Sequence, residues 1–355
     1  MNARILLLKE YLRELMDSLA SKASSLTALS IYDKPIQLLK LYMTKDGVVN
    51  ACIRQINACT VVTANTVNNA IRIAKVLRKY RDYHFNDGNI CIRFDDEYCW
   101  NLRDVLASED NYQFLKQFLL LKALGASVER KGNGFLVEVN GIKWFVRGSI
   151  WQDLMEGPLL PYLHEPYEYR IWFSKIITKV RTFIDVGAYV GGYAVRACKA
   201  GVKVYAVEPS AENYNVLSQN LKFNECNNVI LLNVAAGDFK GKALLSPLRG
   251  YGPDTSSLVR SGDEKEVINV VPLDDVITDV EMPVMVKIDV EGFEEHVLKG
   301  MEKLLKYVGY IFIETNTSTH INVVKYLNGH GFKLRDLRLH RGSDELRYNS
   351  LFIKG

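Results

Sequence analysis

A chain of 355 residues is longer than one average domain, so two units are expected. Hydrophobic residues at 48% and charged residues at 24% fit a globular protein with a sizeable core, and there is no low-complexity tract or internal repeat. The net charge of +4 is uneven: residues 1–150 hold 21 Lys/Arg against 15 Asp/Glu, and the remainder 24 against 26. That mild polarity excludes the heavy basic footprint of a dedicated nucleic-acid binder.

Residues 3–20 place Ile5, Leu8, Leu12, Leu15, Met16 and Leu19 at near-helical spacing, which predicts a helix. The opening apolar run is too short for a signal-peptide core or a membrane span, and a cytoplasmic protein is expected. A second helix is expected over 65–83, where Arg72, Lys75 and Lys79 share a face that reads best as solvated. A strand at 89–94 and a helix at 112–124 follow. Segments 126–130, 135–139 and 142–146 then read as a β-meander, with Asn140-Gly141 as a type I′ hairpin signal. Pro158, Pro161 and Pro166 mark a connection before a helix at 167–179, and a domain boundary is expected near residue 160. On this reading residues 1–160 form an α+β unit that binds an acceptor or mediates oligomerisation, with a homodimer left open. Six cysteines without a Cys-x-x-Cys pair or a neighbouring His are expected to be reduced, mostly buried thiols, and no metal site is predicted.

After Lys179 strand and helix alternate. Strands are expected at 182–186, 203–207, 229–234, 267–271, 284–288, 309–313, 331–338 and 349–354. Helices fit at 191–200, 211–223, 273–277, 292–305 and 319–328. Such alternation predicts an α/β, doubly wound, mostly parallel sheet covered on both faces, with the last two strands antiparallel neighbours. Ligands in such sheets bind beyond the carboxyl ends of the strands, where the strand order reverses.

The first of these strands ends at Asp185 and runs into a turn with Gly187 and Gly191 before a helix. Glycine lets the backbone bend sharply and a ligand approach closely. The Gly-x-x-x-Gly spacing differs from the dinucleotide fingerprint and weighs against NAD. It suits adenosylmethionine, with the loop of Gly187, Ala188, Tyr189 and Gly191 cradling the amino-acid tail and Asp185 anchoring its ammonium. The next strand ends at Glu208-Pro209, where an acid can accept both ribose hydroxyls. Ala235, Ala236 and Asp238 follow the third strand and would line an adenine slot. Lys287, Asp289 and Glu291 close the fourth, where a transferred methyl group would lie, and Glu314 closes the fifth at the rim.

Residues 182–315 resemble the FkbM family of methyltransferases. The matching blocks are Phe183–Ala188, Val207–Ser210, Asn220, Asn233–Asp238, Thr255–Leu258, Val271–Asp275 and, most distinctively, Lys287–Glu294. The family usually has Asn where this chain has Tyr189. The resemblance implies a seven-stranded Rossmann-like class I methyltransferase domain over 161–355 that O-methylates a hydroxyl of a sugar, glycolipid or secondary metabolite. It implies adenosylmethionine at Asp185, Gly187, Glu208 and Asp238, with Asp289 and Glu291 at the acceptor. Asp289 is expected as base or hydroxyl anchor and as a further cofactor contact, supported by Glu291 and His296. Asp289 with a second carboxylate could also hold a divalent cation, though none is predicted. A nucleic-acid acceptor is not expected, because Asp289-Val-Glu-Gly stands where base methyltransferases carry a base-gripping Pro-Pro turn. RNA ribose 2′-O-methylation and a non-catalytic cofactor-binding interaction module are the alternatives.

Overall fold

The computed structural model describes residues 39–43, 48–53, 58–63, 79, 83–86, 89–101, 104, 105, 108–247, 256, 257, 266–341 and 346–355. The helices expected over 3–20 and most of 65–83, and most of the loop 249–256, lie outside the described residues. The chain divides into two compact units, Met1–Glu129 and Arg130–Gly355.

In the first unit, β1 (Leu39–Met43), β2 (Val48–Ile53) and β3 (Ala58–Thr63) form an antiparallel meander where no strand was expected. A second meander follows, of β4 (His84–Asn86), β5 (Asn89–Arg93) and β6 (Glu97–Asn101). Helix α1 (Glu109–Ala123) starts at Ser108, whose hydroxyl accepts the Asn111 N–H at 3.4 Å as an N-cap. Its buried face places Phe118 edge-on against Trp100 and tilted against Tyr98, at centroid distances of 4.9 and 5.4 Å. Strand β7 (Ser127–Lys131) straddles the division.

The second unit opens with the hairpin β8 (Gly134–Val139) and β9 (Ile142–Arg147). Asn140 and Gly141 both have positive φ, 53° and 73°, as a type I′ turn requires. This hairpin lies within the compact unit Arg130–Gly355. Side-chain bonds from Asn220 and Asn224, which no local pattern announces, tie it there. Helix α2 (Gln152–Glu156) leads into two π-helical turns, Leu160–His164 and Glu168–Phe173, in place of one regular helix over 167–179.

Next come β10 (Thr182–Val186), α3 (Gly192–Lys199), β11 (Lys203–Val207), α4 (Ala211–Phe223), β12 (Val229–Leu232), β13 (Ala235–Ala236), β14 (Gly241–Pro247), β15 (Ser256–Ser257) and β16 (Glu266–Val271). They are followed by α5 (Leu273–Val276), β17 (Val284–Ile288), α6 (Glu294–Lys299), β18 (Val308–Asn316), α7 (His320–Gly329), β19 (Phe332–Arg341) and β20 (Leu346–Lys354). The main sheet has seven strands in the order β12-β11-β10-β17-β18-β20-β19. Its first five run parallel, and β20 lies antiparallel to both β18 and β19. The expected architecture, a mostly parallel doubly wound sheet, is therefore present. One expected strand, 267–271, lies outside it: β16 joins β13, β14 and β15 in a separate small sheet.

Every residue of β10 and β17 is buried, as strands covered on both faces require. One face packs Ile184, Val186, Val286, Ile288 and Ile311 against Val297 and Leu298 of α6 and Val323 and Leu327 of α7. The other face is aromatic: Phe173 lies 5.5 Å from Phe183, and Tyr193 5.9 Å from Phe312. Cys91 is bonded to Cys99 and Cys198 to Cys226, which corrects the expectation of reduced thiols for these four residues. Strand pairing and loop return bring each pair together, and neither is visible as a local spacing. Among the described residues, no helix is long and apolar enough to cross a membrane.

Candidate active site

The strand order reverses between β10, which leads outward to β11 and β12, and β17, which leads the other way. A cleft of about 760 Å³, counting its open mouth, lies at the carboxyl ends of these strands. The glycine turn after β10 forms its floor. Gly187 has φ +80°, and a Cβ there would stand 1.8 Å from the Asp289 carbonyl oxygen. Gly191 has φ +93°, with Leu217 occupying the space where a Cβ would go. Both positions require glycine sterically.

Glu208, at the tip of β11, is buried and lines the cleft. The Tyr189 N–H donates to its Oε2 at 2.8 Å and the Ser210 N–H to its Oε1 at 3.0 Å. Burial pushes the Glu208 carboxyl up to about 7, against the lowering effect of these donors and of Asn213. Ala235, Ala236, Leu245 and Phe293 make an apolar slot on one side of the cleft. Beside it the His296 ring stacks on Phe293 at 4.3 Å, with Nδ1 2.9 Å from Asp238 Oδ1.

At the other side Asp289 and Glu291 line the cleft with Glu156 of α2. Lys287 Nζ donates to Asp289 Oδ2 at 3.0 Å. Burial alone would raise the Asp289 carboxyl, but Lys287, Arg347 and His164 together hold it below its ordinary value. Arg347 of β20 bridges Glu291 at 2.7 Å and Glu314 at 2.5 Å. Carboxylate oxygens of Asp289, Glu291 and Glu314 lie within 4.8 Å of one another, a spacing a divalent cation could use, but the Arg347 guanidinium already bonds two of the three.

The structure thus gathers Gly187, Tyr189, Glu208, Pro209, Ala235, Ala236, Asp289 and Glu291 around one cleft. Asp185 is placed differently. It is 1% exposed, beneath the cleft on the face of the sheet that carries Lys287, and burial pushes its carboxyl up to about 7 despite that lysine. Ala188 and Gly191 shape the turn by the Gly191 N–H donating to the Ala188 carbonyl at 2.8 Å, and neither lines the cleft. Asp238 and His296 pair with each other, and neither is among the residues that line the cleft. Residues not foreseen are Glu156, Asn213, Phe293 and Arg347. Asn213 and Phe293 stand a few residues beyond Glu208 and Asp289, a signal that could have found them; Glu156 and Arg347 arrive from distant segments without one.

Residues 185–334 match the family model described as the methyltransferase FkbM domain. The hexuronic acid methyltransferase AglP of Haloferax volcanii is 27% identical over 163 residues, covering 45% of this chain and 66% of that relative. Among solved structures, precorrin-6y C5,15-methyltransferase of Geobacter metallireducens aligns at 16% identity and a TM-score of 0.33, over 51% of this chain and 86% of its own. M. jannaschii TYW2 in complex with AdoMet aligns at 15% identity and 0.35, over 64% and 89%. The cleft is thus lined largely from within residues 185–334, the stretch that is similar to the methyltransferase FkbM domain.

Proposed function

We propose that this protein transfers a methyl group from S-adenosylmethionine to a hydroxyl of a saccharide acceptor. The observation that carries the reading is the presence of Glu208 and Asp289, at the tips of strands flanking β10, on opposite sides of one cleft floored by the glycine turn.

The residues fit the donor group. Glu208 is held by two backbone donors and faces the cleft, so its remaining lone pairs suit ribose hydroxyls. The apolar slot of Ala235, Ala236 and Phe293 suits an adenine ring. When bound, the donor supplies an electrophilic methyl on a sulfonium. Asp289 is ionised over the working pH range, because its neighbouring cations keep its carboxyl low. It accepts the hydrogen bond of the acceptor hydroxyl, aligns that oxygen, and takes the proton as the oxygen gains its methyl group. A weak base suffices, since the oxygen becomes strongly acidic as the new bond forms. Lys287 holds Asp289 in place, and Arg347 binds Glu291 and Glu314 beside it. The choice of a saccharide is supported by the relative named for hexuronic acid, and Glu156 and Glu291 offer acceptors for sugar hydroxyls at that end.

Calorimetry with S-adenosylmethionine and S-adenosylhomocysteine tests the donor side, and methyl transfer to uronic-acid-containing saccharides tests the acceptor side. Glu208→Gln is expected to weaken nucleoside binding about 10- to 100-fold, the worth of a charged hydrogen bond. Asp289→Asn is expected to keep donor affinity and lower turnover about 10²- to 10⁴-fold. A folded wild-type protein that binds neither nucleoside would overturn the reading.

A further inference from the structure

The backbone φ of Tyr189 is +49°, a left-handed conformation that a bulky residue adopts at a cost. Something must hold it there. Its N–H donates to Glu208 at 2.8 Å. Its hydroxyl donates to Asp153 Oδ1 at 2.6 Å and accepts from Arg147 Nη2 at 3.1 Å. Arg147 in turn grips Asp153 with Nε at 2.8 Å, Nη2 at 2.7 Å and its own backbone N–H at 3.0 Å. Both side chains are buried, and a buried bidentate pair is a rigid anchor because neither partner can leave without stranding a charge. The Tyr189 ring packs with Phe145, Val190 and Val216. Arg147 and Asp153 both precede residue 185, outside the stretch matched by the family.

We propose that the Arg147–Asp153 pair is a latch on the donor-binding turn: by fixing the Tyr189 hydroxyl it holds residue 189 left-handed, which keeps its N–H on Glu208 and the Glu208 carboxylate aimed into the cleft. Arg147, Asp153 and the Tyr189 hydroxyl are positioning groups, acting on the ligand only through Glu208. The latch offsets by side-chain contact the cost of that backbone geometry at a bulky residue. It rests on the reading of the cleft as the S-adenosylmethionine site.

The test is the affinity of the full chain for S-adenosylhomocysteine, measured well below each variant's thermal midpoint. Tyr189→Phe keeps the ring and removes the latch, and is expected to weaken binding about tenfold. In turnover with an acceptor saccharide the loss is expected in the donor's KM and not in kcat, a split that general loosening of the fold would not produce. Asp153→Asn added to Tyr189→Phe is expected to lower the thermal midpoint and cost no further affinity, since the connection to Glu208 is already cut. Wild type and Tyr189→Phe binding equally well, or a further affinity loss in the double variant, would overturn the latch while leaving the cleft assignment standing. Wild type binding no S-adenosylhomocysteine would overturn both.

Discussion

At the scale of single residues, the acids at the strand tips were legible because each ends an apolar run, where a buried strand must surface. What the run does not tell is which face the side chain takes. Val186 and Asp185 alternate across β10, and it is Val186 that lines the cleft while Asp185 points to the face with Lys287. The same limit applies to His296. Its position in a short helix was visible, but its stacking on Phe293 and pairing with Asp238 depend on how α6 is rotated against β13. On the proposed reading of the cleft, that pairing sets His296 beside the nucleoside. Phe293→Ala is accordingly expected to weaken S-adenosylhomocysteine binding about tenfold by removing an aromatic face, and His296→Ala to do so by a smaller factor. Calorimetry on the two variants checks this, and an effect of His296→Ala larger than that of Phe293→Ala would contradict it.

At the scale of elements, helix and strand periodicity located nearly all of the C-terminal pieces, because each buries a regular face. The hairpin β8–β9 shows where that stops. Its strands and type I′ turn were readable, but its allegiance was not, since it is set by two asparagines about 75–81 residues away in sequence. Asn220 Oδ1 accepts the Phe145 N–H at 2.6 Å and its Nδ2 donates to the Val190 carbonyl at 2.9 Å. Asn224 does the same for both backbone groups of Lys143, at 3.0 and 2.6 Å. The two side chains take the place of a neighbouring strand along β9. Asn220→Ala leaves a buried N–H and a buried C=O without partners, and is expected to cost about 2–4 kcal/mol of stability, measurable by denaturant unfolding. A loss under about 0.5 kcal/mol would mean water replaces the amide.

At the scale of the whole molecule, three buried acids, Asp185, Glu208 and Glu294, have carboxyls pushed up to about 7, chiefly by burial. A carboxyl raised above its unfolded value near 4 binds its proton more tightly in the folded state. Its stabilising contribution is therefore complete in acid and fades as the pH climbs from about 4 to about 7. Asp289 and Asp336, held low, act in the opposite sense and matter only in stronger acid. The ligand-free protein is thus expected to have a higher thermal midpoint at pH 5.5 than at pH 8, with Glu294→Gln removing part of the difference. Scanning calorimetry at the two pH values decides it, and a midpoint that rises toward pH 8 would contradict the assignment.

The placement of β20 has a consequence for biosynthesis. Residues 346–354 sit between β18 and β19, although both of those strands are made first. A ribosome delivering residues at about 5–20 per second leaves the β18 edge unfilled until β20 emerges. In that interval a direct β18–β19 pairing, or capture of another chain's strand, competes with the native insertion. Lys333, Arg335, Arg338 and Arg341 along β19, and the bulge between Leu334 and Asp336, make that strand a poor substitute, and so keep the place open for the segment that belongs there.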